Sequence, residues 1–169
     1  TKPSFWFYVL AGLGALAQCY AFILLWGMFR NKITKLSFSK AQFLLFRTVL
    51  VLIWIKIVLQ LSTVLPYFAN MAANYLDLTI GYLHLTFLGI ISIGLFLFMD
   101  YFSLFRISKK SYLWYFLGFL LTETLIFYRG MAAWLQRNIF NGHLEILALL
   151  TLLIPLGIAM MLIENRAPN

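Results

Sequence analysis

Five apolar runs, each long enough to cross a bilayer, leave this 169-residue chain few ways to fold. They cover residues 5–29, 43–65, 78–99, 112–128 and 143–163. A helix needs about 20 residues to traverse a hydrocarbon core ~30 Å thick. Inside lipid the segments must be helical, because an open strand leaves its backbone donors and acceptors without partners. The expected fold is all-α, a polytopic membrane helix bundle of about five transmembrane helices in contact with the lipid bilayer. The fourth run is the shortest, and its pattern allows continuation past Arg129 into residues 131–135. Pro155 predicts a kink in the fifth, since its ring removes one backbone hydrogen bond. No internal repeat or linker divides the chain, so residues 1–169 read as one transmembrane domain.

Only 11% of the residues are charged, against roughly 25% in a soluble domain. The net charge of +8 does not point to nucleic acid, because the basic residues cluster between the spans as topology signals do. Arg30, Lys32, Lys35 and Lys40 fill the first connection, and Arg106, Lys109 and Lys110 the third. The second, residues 66–77, has no Lys or Arg, and the fourth has only Arg129 and Arg137. The positive-inside rule puts the first and third loops in the cytoplasm. With five spans the N-terminus then lies outside and the C-terminus inside. Starting at Thr1, with an outward N-terminus, the chain reads as a fragment or subunit preceded by further helices.

Ionisable side chains at membrane depth are costly and tend to face protein or an aqueous cavity. Lys56 interrupts the second run, His84 the third and Glu123 the fourth, and His143 and Glu145 open the fifth. Gln60 lies one turn beyond Lys56. At ~1.5 Å per residue these six groups fall in one slab on the side of the 66–77 loop. Lys56 and Glu123, or Arg129 and Glu123, are expected to neutralise each other as a packing pair, as in a structural accessory subunit, or to form part of a proton or ion pathway. Gly81, His84, Leu88 and Ser92 share a helical face, which buries His84. It then serves as a hydrogen-bonded packing residue, a haem or metal ligand, or a proton relay, with Glu123 and Thr86 as candidates for its second ring nitrogen. His143, after Asn141 and Gly142, is expected at the interface or beside a cofactor.

No phosphate loop, zinc-protease helix, paired-cysteine motif or serine elbow occurs in the chain, so the residues assign no soluble-enzyme chemistry. The single cysteine, Cys19, rules out an internal disulfide and a Cys-rich zinc site.

Residues 80–92, with Gly81, His84, Gly89 and Ser92, follow residues 56–66, with Lys56, Gln60 and Pro66. Together they resemble the C-terminal half of a group of polytopic membrane proteins of Bacteroidetes-type bacteria. The N-terminal halves of that group are similar to the haem–copper oxidase superfamily and to the related nitric-oxide-response membrane proteins. The resemblance implies a bacterial inner membrane, neighbouring membrane subunits or N-terminal helices, and a respiratory-type assembly. It also implies a haem or metal ion on His84, with His143 as the second candidate. With two histidines in the chain, a binuclear haem–copper centre is not assembled from these residues alone.

Overall fold

The computed structural model describes residues 5–32 and 38–166; Lys35, with the rest of residues 33–37, and the start at Thr1 lie outside the described residues. Helices α1 (Phe5–Lys32) and α2 (Lys40–Ser62) are the first two spans. The third is assembled from α4 (Leu76–His84), a π-helical segment (Leu85–Ser92) and α5 (Ile93–Tyr101). Helix α6 (Lys109–Trp134) is the fourth, and α7 (His143–Thr151) with α8 (Leu153–Arg166) the fifth. A short α3 (Pro66–Asn74) lies between the second and third. Five helical stretches are thus long and apolar enough to cross a membrane, and no strand occurs among the described residues. The chain is an all-α, multi-pass membrane protein.

Local chemistry sets the ends of these helices, and several differ from the expected limits. α2 starts at Lys40 rather than at residue 43 because Ser39 and Gln42 form a reciprocal cap. The Gln42 amide donates to Ser39 Oγ at 3.2 Å, and the Ser39 amide donates to Gln42 Oε1 at 3.0 Å. Ser108 caps α6 from one side only, its Oγ accepting from the Ser111 amide at 3.1 Å, which adds a turn before Tyr112. At its other end α6 runs on through Arg129 to Trp134, so the shortest apolar run belongs to one of the longer helices. It closes as the Arg137 amide reaches Ala132 O and the Gln136 amide reaches Ala133 O. Gln136 takes the left-handed position (φ 53°) usually given to glycine. Ser103 (φ 56°) ends α5 likewise.

Two features were not anticipated. The 66–77 connection, expected as a loop, contains α3, which Pro66 opens from the first helical position. The third span is π-helical over eight residues, Leu85–Ser92. Its buried positions Gly81, Leu85, Gly89 and Ile93 recur every four residues. A regular α-helix would rotate that stripe by about 40° at each step; the wider π turns reduce the drift and keep the stripe on its neighbours. The fifth span breaks between Thr151 and Leu153, just ahead of Pro155.

Consecutive spans pack against each other in chain order. Lipid supplies no hydrophobic force to bring helices together, so close packing of small residues must do so. A Cβ on Gly157 would stand 2.6 Å from the Tyr115 backbone nitrogen, and one on Gly118 2.8 Å from Leu153 Cβ. These contacts hold α6 against α8. On the facing side a Cβ on Gly89 would meet Phe119 at 2.8 Å, and one on Gly81 would meet Phe127 at 3.0 Å. The buried core joins Leu45, Leu52, Leu85, Ile93, Tyr115 and Phe119.

A candidate site at the level of Leu85

Gly89 lies opposite Phe119, Gly81 opposite Phe127 and Leu78 opposite Gly130. Each residue gained along α6 is therefore matched by one lost along the third span. Glu123 is four residues beyond Phe119 and falls at the level of Leu85, four before Gly89. The other side has its own register. Leu52 reaches Gly89, and Tyr82 Oη donates a long 3.5 Å bond to Gln60 Oε1. Lys56, midway between Leu52 and Gln60, falls at the same level. Two ionisable groups thus flank the third span where its π-helical segment begins.

They do not pair. Lys56 Nζ donates to Gln60 Oε1 at 2.8 Å and to Gln18 Oε1 at 3.2 Å. Glu123 is 7% exposed, and neither of its carboxylate oxygens has a hydrogen-bond partner among the described residues. The expected Lys56–Glu123 pair is corrected: the third span stands between the two chains, and two glutamine carbonyls occupy the ammonium. Arg129, the alternative partner, instead binds Asp77 at the start of α4, with Nε 3.2 Å from Oδ2. The hydroxyls flanking Glu123 are also occupied. Thr122 Oγ1 donates to Gly118 O at 2.8 Å and Thr124 Oγ1 to Leu120 O at 2.7 Å, both on their own helix.

The two histidines reverse their expected burial. His84 is only half-buried, has no hydrogen bond among the described residues, and sits between exposed Leu83 and Phe87. Burial of His84 is therefore corrected. The π-helical segment starts one residue later and carries Ser92 away from the face a regular helix would give it. Neither expected partner reaches its ring: Thr86 Oγ1 donates to Tyr82 O at 2.9 Å, and Glu123 has no hydrogen-bond partner among the described residues. His143, expected near the interface, is 3% exposed. Its ring stacks on Tyr128 at 5.9 Å and meets Phe140 edge-on at 5.2 Å. Its Nε2 lies 3.1 Å from Leu125 O. A carbonyl only accepts, so Nε2 carries the proton, and Nδ1 is left buried without a partner among the described residues. Leu125 is two residues, or about 200°, around α6 from Phe127, so the two histidines lie on different sides of that helix. Glu145 is exposed in the first turn of α7, where a carboxylate favours the helix dipole.

Above this level the bundle opens. A pocket of about 440 Å³ lies between the second and third spans, walled by Gln60, Thr63, Thr79, Tyr82 and Phe127, with α3 along one side. Phe127 is one turn from Glu123. Gln18, Lys56, Gln60 and Tyr82 thus form a polar chain that leads to the pocket.

The basic end carries a second polar cluster that the sequence reading missed. Asp100 accepts from Gln42 Nε2 and from the Ile107 amide, each at 2.8 Å. Glu164 accepts from Ser108 at 2.9 Å and from Ser111 at 3.0 Å. Serine caps at 39 and 108 were its only local signal. These bonds fasten the ends of the spans together and satisfy both acids. Among the described residues no three His, Cys, Asp or Glu side chains are grouped to hold a metal ion. Compared with family models, curated proteins and solved structures, the chain matches none of them.

Proposed function

We propose that this chain is a membrane component that passes a proton or small cation through the half of the bundle beneath the 66–77 loop, with Glu123 as the group that takes up the charge. The observation that carries this reading is the buried Glu123 carboxyl, with neither oxygen partnered among the described residues and level with the start of the π-helical segment. Ionisable groups at such depth commonly mark ion or proton routes, and π-helical turns recur at functional sites. The pocket below α3 supplies a mouth, and the Gln18–Lys56–Gln60–Tyr82 chain a polar wall. The charge division between the loops supports a mouth on the outer face, and the resemblance of residues 56–92 suggests a bacterial inner membrane. The low burial of α1 leaves room for other subunits or helices beside it. The test is flux into vesicles holding the purified protein and a pH-sensitive dye. Proton or cation flux that Glu123→Gln abolishes and Glu123→Asp partly keeps is the expected result. Flux indifferent to Glu123→Gln, or none from the native protein, overturns it.

A second reading, a haem- or metal-binding component of a respiratory-type assembly, draws support from His143. A ligand histidine commonly donates its other ring N–H to a carbonyl, as His143 does to Leu125, which leaves the Nδ1 lone pair bare. A Soret band lost in His143→Ala or His84→Ala is its expected signature. A folded protein that is colourless and carries no bound metal by elemental analysis overturns it.

A further inference from the structure

Between α1 and α2, toward the basic end, lies a groove of about 640 Å³. Phe22, Trp26, Phe46, Val51 and Trp54 line it, and among the described residues the one charged group in its wall is Arg47. It sits between two aromatic contacts of the same helices. Phe29 meets Phe46 edge-on at 4.8 Å near the helix ends, and Phe22 stacks on Trp54 at 5.8 Å deeper in. Seven to eight residues separate these contacts, so the groove runs about 10–12 Å along the helix axes.

Arg47 is out of place for a purely apolar surface. It lies seven residues inside α2, about 10 Å from Lys40. Its side chain is exposed and has no hydrogen bond or ion pair among the described residues. A bare guanidinium facing hydrocarbon is costly, and among the described residues no acidic or amide side chain lines the groove. Its long stem can carry the charge toward the headgroup layer, where Arg30 and Lys40 stand at the same end of the two helices. A phosphate oxygen pair matches the planar fork of arginine. Phosphatidylcholine carries that phosphate too, but its quaternary ammonium cancels the charge, so a net-negative headgroup answers Arg47 with Arg30 and Lys40 better. Basic pockets between transmembrane helices commonly hold anionic headgroups. The apolar part of the groove, with its two tryptophans, then suits the attached acyl chain.

We propose that this groove is a binding site for one anionic phospholipid, drawn from the leaflet at the basic end, with Arg47 on its phosphate and an acyl chain along Trp26 and Trp54. This assignment is independent of the flux reading and of which leaflet is cytoplasmic. The full chain, placed in nanodiscs of equal phosphatidylglycerol and phosphatidylcholine with identical chains, is released into the gas phase and its retained lipid counted by native mass spectrometry. Phosphatidylglycerol is expected to be retained over phosphatidylcholine. Arg47→Gln should lower that preference about fivefold, the effect of one basic residue at an anionic surface. Arg47→Lys should keep most of it, and Lys109→Gln, on the other basic loop, should leave it unchanged. A second measurement covers a variant that folds poorly: in the native protein, phosphatidylglycerol with brominated chains should quench tryptophan emission more than brominated phosphatidylcholine. Equal retention of the two lipids, equal quenching, or a preference untouched by Arg47→Gln overturns the assignment. So does a stable oligomer in which a protein chain shields the groove from both brominated lipids.

Discussion

Lys56 and Glu123 stand at one depth on opposite flanks of the third span, and only Lys56 is satisfied there, by Gln60 at 2.8 Å and Gln18 at 3.2 Å. Depth along a helix and direction around it are separate coordinates. The two residues agree in the first and differ in the second. Lys56 braces α1 against α2, whereas Glu123 carries a group without a partner among the described residues.

That difference has a thermodynamic signature. Burying a polar group without a partner costs about 1–3 kcal/mol in proteins, so Glu123→Leu should stabilise the protein by that order in micelles. Lys56→Met should destabilise it, because Gln18 and Gln60 lose their shared donor. The double variant should sum the two effects within about 0.5 kcal/mol, as unconnected sites do. A double-mutant cycle by denaturant titration that returned a coupling above about 1 kcal/mol would show the pair to interact after all.

The α6–α8 seam should be the least forgiving in the bundle. At Gly157 an added Cβ meets the Tyr115 backbone at 2.6 Å, and backbone cannot rotate aside as a side chain can. Gly157→Val should therefore cost about 3 kcal/mol, the upper part of the usual range for overpacking. Gly94→Ala is the control, since nothing lies within 4 Å of its Cβ position. Comparable melting-temperature losses for both variants would contradict the close approach.

Gln136 pays for its position at the end of α6 in backbone strain. A left-handed conformation costs a residue with a Cβ about 1–2 kcal/mol, and glycine almost nothing. Gln136→Gly should therefore raise stability by about 1 kcal/mol, read as a higher melting temperature, while Gln136→Val should lower it.

The loop charges predict which ends face the cytoplasm. In a Cys19→Ala background, Asn70→Cys should react with an impermeant thiol reagent added outside intact cells. Ser103→Cys, at the exposed end of α5, should react only after the membrane is opened. The reverse pattern would invert the bundle.

Hydropathy along the chain was enough to establish five membrane-crossing helices and their approximate limits, because the cost of an unpaired backbone in lipid admits no other spanning structure. The level of Lys56 and Glu123 was legible too, since rise per residue is nearly constant in a helix. Direction was not. Which way Glu123, His84 and His143 point depends on rotation about each axis, set by how Gly81, Gly89, Gly118 and Gly157 seat their neighbours and by a π-helical segment that shifts the third span's phase. No local pattern among Leu85–Ser92 announces that segment, because its wider turns are held by contacts with α2 and α6 far along the chain. Partnership inside a bundle is decided by packing between helices. That left Lys56 with two glutamines, Arg129 with Asp77, and Glu123 with no partner among the described residues.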